Sequence, residues 1–70
     1  AILKETPENI NELIKQASLT SDYKARLSAL EELKKYDCPQ SRAIITKLAL
    51  FDKVFKVKQE AFRAAKALGI

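Results

Sequence analysis

The 70-residue chain has no histidine, no tryptophan and no methionine, and only one cysteine, one glycine and two prolines. Each scarcity removes a class of protein. Without histidine, and with one thiol, there is no Cys–His or Ser–His pair and no set of imidazoles and thiolates for a metal. A single glycine cannot build a glycine-rich phosphate loop. Glu31 and Glu32 are adjacent and diverge on a helix, so they are no paired acid–base site. The reading is therefore of a protein that is not an enzyme and carries neither cofactor nor metal. Scarce glycine and proline also argue against a turn-rich β fold. No apolar run approaches the roughly 20 residues that cross a bilayer, so no membrane role is expected. No charged-then-apolar secretory leader is visible. The lone Cys38 cannot close an intrachain disulfide and fits a reducing, cytoplasmic setting. A chain starting at Ala1 without methionine is expected to be processed or excised from a longer product.

What remains is rich in Ala, Leu, Ile, Glu and Lys, a helix-forming composition. Thr6-Pro7-Glu8-Asn9 reads as a helix start, with Thr6 as cap and Pro7 in the first turn. Ile10, Leu13, Ile14 and Ala17 follow as one narrow apolar stripe. After Leu19-Thr20-Ser21-Asp22, a second helix is expected from about Ser21 to Tyr36. Its apolar residues are Tyr23, Ala25, Leu27, Ala29, Leu30, Leu33 and Tyr36. Glu31 and Lys35 stand four apart in the favourable order. Pro39 pushes Cys38 out of helical geometry and opens a third helix to Phe51. Ala43, Ile44, Ile45, Leu48, Ala49, Leu50 and Phe51 go most of the way round that helix. It is therefore expected to be covered, in the middle between helices two and four. A fourth helix runs from about Val54 to Leu68, burying Val57, Ala61, Phe62, Ala65 and Leu68. Gly69 supplies a left-handed cap with Ile70 as its apolar clasp.

The two halves echo each other at a period of 32 residues. Pro7 recurs as Pro39, Leu13 as Ile45, Ala17 as Ala49 and Tyr23 as Phe55. Arg26 recurs as Lys58, Ala29 as Ala61, Leu30 as Phe62, Leu33 as Ala65 and Tyr36 as Leu68. Such a period on apolar positions marks stacked helical units, here residues 6–36 and 38–69 of one domain spanning 1–70. The expected fold is all-α: four helices forming two stacked hairpins in a right-handed α–α superhelix. A plain four-helix bundle with an accidental repeat is the alternative. Two units are few for a free array. The segment is thus expected either to belong to a longer chain or to associate, through its exposed ends, with another copy or another domain.

In the second unit, Leu50-Phe51-Asp52 ends one helix, and Val57-Lys58, Ala61, Ala65 and Leu68-Gly69 mark the next. This pattern, with an acid in the turn and a cation six residues on, resembles a HEAT repeat. The first unit keeps Arg26 and Ala29 but has Thr20 where the turn acid belongs, with Asp22 displaced. The spacing is closer to compact HEAT-like variants. The resemblance implies a scaffold whose second helices line a surface that takes up proteins or, in some branches, nucleic acid.

Arg26 and Lys58 lie in the middle of otherwise apolar helix faces. A cation there must find an acceptor or extend its head to water. They are read chiefly as a structural ladder pairing with Asp52, Asp22 or Asp37, against a reading in which they project into a ligand groove. The expected protein-docking surface is the outward face of helices two and four: Lys24, Ser28, Glu31 and Lys35, then Lys56, Gln59, Glu60 and Arg63. Charge supplies the second hypothesis. The net charge is +4, and residues 37–70 hold seven cations against three anions, whereas residues 1–36 hold six of each. A basic second half attracts phosphates or an acidic partner, which makes a nucleic-acid-binding module the alternative. Those cations, however, are scattered: Lys56 and Arg63 point one way and Lys66 another. Cys38 is either a tolerated turn cysteine or a thiol activated near a helix N-terminus. Tyr23 and Tyr36 are read as packing rather than stacking on bases.

Overall fold

A computed structural model of the chain describes residues 2–70. Four α-helices follow in order: α1 Ile10–Ser18, α2 Tyr23–Leu33, α3 Pro39–Phe51 and α4 Phe55–Leu68. The helices pair as α1 with α2 and α3 with α4, joined by short turns. Between the pairs, α1 packs on α3 and α2 on α4. First helix lies on first helix and second on second, which is how two like hairpins stack. One buried cluster runs through both hairpins, from Ile10, Leu13 and Ala17 through Leu30 and Leu33 to Ile45, Val57, Ala61 and Leu68.

The helix boundaries follow local chemistry, with corrections. Thr6-Pro7 does not open α1. Ile10 N–H reaches only the Pro7 carbonyl, at 3.2 Å, so these residues form a turn and the helix begins at Ile10. Asn9 stands at its N-terminus without a side-chain cap. At α2 the cap is Asp22, whose carboxylate accepts the Lys24 N–H at 3.0 Å and so satisfies an otherwise free donor. That helix ends at Leu33, three residues before Tyr36. Pro39 opens α3 as its first residue. Gly69 closes α4 in the left-handed region, at φ 76°. Its N–H bonds Lys66 O while Ile70 N–H reaches back to Ala65 O at 2.9 Å, the paired bonds of a Schellman motif.

The third helix differs most from its sequence pattern. It packs on α4 and α1 and barely touches α2. Ile45, Leu48 and Ala49 are buried, but Ala43, Leu50 and Phe51 are exposed. Among the described residues no element stacks on its far side, so its apolar circumference is only partly covered. For the same reason Phe62 of α4 is exposed, as are Tyr23 and Phe55 at the starts of α2 and α4. Two further features carry no apolar signal. Ser41 is wholly buried and donates to the Leu33 carbonyl at 2.6 Å, fastening α3 to the end of α2. Ahead of α1, Leu3 runs beside Tyr36: its N–H bonds Lys35 O at 2.8 Å and its carbonyl accepts from Asp37 N–H at 2.7 Å.

Candidate functional site

The two hairpins are locked by one polar cluster at their turn end. Arg26 projects from the first turn of α2. Its Nε and Nη2 donate to the two oxygens of Asp52, at 2.8 and 3.2 Å. Its Nη1 donates to Thr20 O at 3.0 Å, holding the α1–α2 turn. Asp52, which ends α3, also accepts the Val54 N–H at 2.8 Å and so shapes the entry to α4. The side chains are only 12% and 4% exposed. This fork-to-fork geometry uses both carboxylate oxygens, which makes the pair a brace rather than a ligand site. A cleft of about 490 Å³ opens beside it, lined also by Lys47, Phe51 and Lys53, but its most buried charges already satisfy each other. Asp22 and Asp37, the other acids considered for this role, are engaged elsewhere: Asp22 caps α2 and Asp37 pairs with Arg42.

Lys58 is the repeat counterpart of Arg26, and it has no ion pair or side-chain hydrogen bond among the described residues. The difference follows from position. Arg26 reaches forward to the turn of the next hairpin, whereas no further hairpin follows Lys58 among the described residues.

Arg42 is also committed. It pairs with Asp37 through the Nε–Nη2 edge of its guanidinium and donates from Nη2 to the Leu68 carbonyl at 2.8 Å, covering the end of α4. The hydrogen bond from Arg42 holds the Asp37 carboxyl below its ordinary pKa, against a smaller opposing effect of burial, with the charges of Arg42 and Lys4 adding to the lowering. The same bond raises the Arg42 pKa.

The expected docking face on α2 and α4 is solvent-facing. Lys24, Ser28, Glu31, Lys35, Lys56, Gln59 and Arg63 are exposed and Glu60 is half-buried. Its ion pairs are local, between residues three apart. Glu31 takes Lys34 rather than the expected Lys35, which pairs with Glu32; Arg63 pairs with Glu60. Along the turn edge both hairpins expose large apolar side chains at matching positions, Leu19 with Phe51 and Tyr23 with Phe55.

A second surface lies on the outer side of the α3–α4 hairpin. There Thr46, Leu50, Phe62, Lys66 and Ile70 surround a floor of Ala49 and Ala65, forming an apolar groove of about 350 Å³. The sequence pattern places Leu50 and Phe62 in the core and so hides the groove. The repeat carries its signal: Phe62 and Ile70 stand 32 residues after the buried Leu30 and Cys38, yet remain exposed. Cys38 itself is buried at the start of α3 with its thiol free, so a solvent-open reactive cysteine is not what the fold provides. No helix of the described residues is long and apolar enough to cross a membrane.

Compared with known proteins, the chain matches no family model, no curated protein and no solved structure.

Proposed function

We propose that the chain is a non-catalytic protein-interaction module of HEAT-like type, working as a helical scaffold in a reducing, cytoplasmic setting. The observation that carries the reading is the apolar groove. Leu50 is 55% exposed, Phe62 50% and Ile70 49%, side by side on one face. Large apolar side chains gathered on one face mark a place where another protein packs; scattered ones do not. Thr46 and Lys66 supply the polar part of its lining, and the exposed Lys56, Gln59 and Arg63, with half-buried Glu60, stand on the same helix as Phe62. The exposed face of Lys24, Ser28, Glu31 and Lys35 is a second, polar docking surface in this reading. The Arg26–Asp52 brace supports the scaffold role, since it holds the two hairpins in fixed register.

Nucleic-acid binding through the basic half has less support, because two of its seven cations, Arg42 and Arg63, are already paired with carboxylates. One experiment separates the readings. The full chain, its Phe62→Lys variant and its Glu31→Lys variant are immobilised and challenged with cell extract, and the free proteins are titrated with duplex DNA at two salt concentrations. The interaction reading expects a specific protein retained by the parent and lost with Phe62→Lys. Retention that ignores Phe62→Lys but fails with Glu31→Lys moves the site to the α2–α4 face. A DNA complex that weakens steeply with salt, with no protein retained, replaces the reading with the alternative.

A further inference from the structure

The groove is the same surface that the first hairpin uses to hold the second. Shifting each groove residue back by 32 positions turns Thr46, Ala49, Leu50, Phe62, Ala65, Lys66 and Ile70 into Ile14, Ala17, Ser18, Leu30, Leu33, Lys34 and Cys38. In the first hairpin Ala17, Leu30 and Leu33 are buried and Ile14, Ser18 and Lys34 partly covered, and Cys38, at the start of α3, is buried as well. Leu30 is 1% exposed and Cys38 4%, against 50% for Phe62 and 49% for Ile70. Lys58 completes the match. It precedes Phe62 by one helical turn and Ala65 by two, and so shares their face of α4. Its counterpart Arg26 bonds the turn carboxylate of the following hairpin. The cations on and beside this face, Lys58 and Lys66, meet no carboxylate among the residues that line the groove.

Resting on the interaction reading above, the geometry points to a definite occupant: a helical hairpin of the same build as residues 38–69. It lays its first helix on α3 and its second on α4, closing the groove as the second hairpin covers the first, and presents an acidic side chain from its inter-helix turn to Lys58. A second copy of this chain fits poorly in either orientation. Head to tail, it would offer Thr20 where the turn acid is needed and Gln16 where Leu48 packs; both are polar and neutral. Tail to tail, it would set Lys58 and Lys66 against their own copies, a like-charge contact. The occupant is therefore a different hairpin, apolar along its first helix and acidic in its turn.

The test appends a copy of residues 39–70 directly after Ile70 of the full chain, which keeps the 32-residue period and brings a copy of Asp52 to the position facing Lys58. Urea unfolding is followed by circular dichroism, and amide exchange is read along α4. The expected result is one transition with a higher midpoint and a steeper slope, because more surface unfolds together, and α4 amides that exchange at least tenfold more slowly. Phe62→Lys in the extended chain removes the gain while leaving the parent's own midpoint in place. Lys58→Ala removes part of it. An extended chain that unfolds at or below the parent's midpoint, a separate transition for the added hairpin, or a gain untouched by Phe62→Lys overturns the inference. So does sedimentation of the parent as a dimer that Phe62→Lys dissolves, since a second copy would then be the occupant. Partner retention that depends on Phe62 survives all of these failures, so the interaction reading is tested apart from this one.

Discussion

Replacing Asp52 with alanine tests the brace between the hairpins, and its cost can be worked from the geometry. The substitution strips the acceptors for Nε and Nη2 from an Arg26 side chain that is only 12% exposed in the intact pair. Removing one partner of a buried pair costs about 3–5 kcal/mol. Arg26 keeps its bond to Thr20 O and some access to water, so the lower end, about 3 kcal/mol, applies. The Val54 N–H also loses its acceptor, and the loss of a helix-entry bond of this kind adds about 1 kcal/mol. A domain of this size holds only about 4–10 kcal/mol in total. Asp52→Ala should therefore leave the chain close to unfolding at 25 °C. Substituting Arg26 with methionine in the same background removes the stranded cation and should recover at least about 2 kcal/mol, since apolar replacement of a buried pair is often near neutral. Urea unfolding of the parent, the two single variants and the double variant closes the cycle. A single-variant loss under about 1 kcal/mol, with no coupling between the sites, would show that Arg26 and Asp52 do not hold the hairpins together.

Other consequences follow from single positions. Leu30→Ala should cost about 2–5 kcal/mol and Phe62→Ala less than about 0.5 kcal/mol, although the two residues are repeat counterparts, because only the first is covered; equal losses in thermal unfolding would contradict the stacking order. Ser41→Ala should lower stability by about 1 kcal/mol in urea titrations, since its hydroxyl serves the Leu33 carbonyl in a dry site; no change would mean the bond is idle. The Asp37 carboxyl is held below its unfolded value by Arg42. Its contribution is thus fully present above about pH 4 and is lost as pH falls through the lowered folded value. Asp37→Asn should remove part of the acid loss of stability below pH 4, and an acid limb identical to the parent's would count against the pair. Gly69→Ala places a side chain at φ 76° and should cost about 1 kcal/mol by strain alone, with open space around the added carbon; circular dichroism melts of the two proteins decide it.

Much of the architecture was legible in the residues. The four helices, the 32-residue echo, the Pro39 start, the Gly69 cap and the burial of Ala29 with Ala61 all follow from spacing and local chemistry. Arg26 and Asp52 were marked by a cation on an apolar face and an acid in a turn. Two kinds of feature were hidden. Periodicity tells which face of a helix is apolar but not whether anything lies on it, so Leu50, Phe51 and Phe62 read as core and stand exposed. Polar side chains that serve one buried carbonyl have no pattern at all, and Ser41 is such a residue. Backbone pairing escapes for the same reason: Leu3 meets Lys35 and Asp37 through main-chain groups, which no side-chain spacing announces. The apolar groove shows only when each half of the repeat is laid on the other, where Phe62 and Ile70 lack the cover of Leu30 and Cys38.

Solvent relaxation by a soluble paramagnetic probe, read by NMR at Leu30 and Phe62 of the full chain, tests most directly the claim that one hairpin occurs twice with only the first copy covered. The structure predicts Leu30 methyl protons that barely respond and Phe62 ring protons that relax strongly, with Ile70 following Phe62. Equal protection at both positions would mean that the groove is already closed, and equal exposure that the hairpins do not stack.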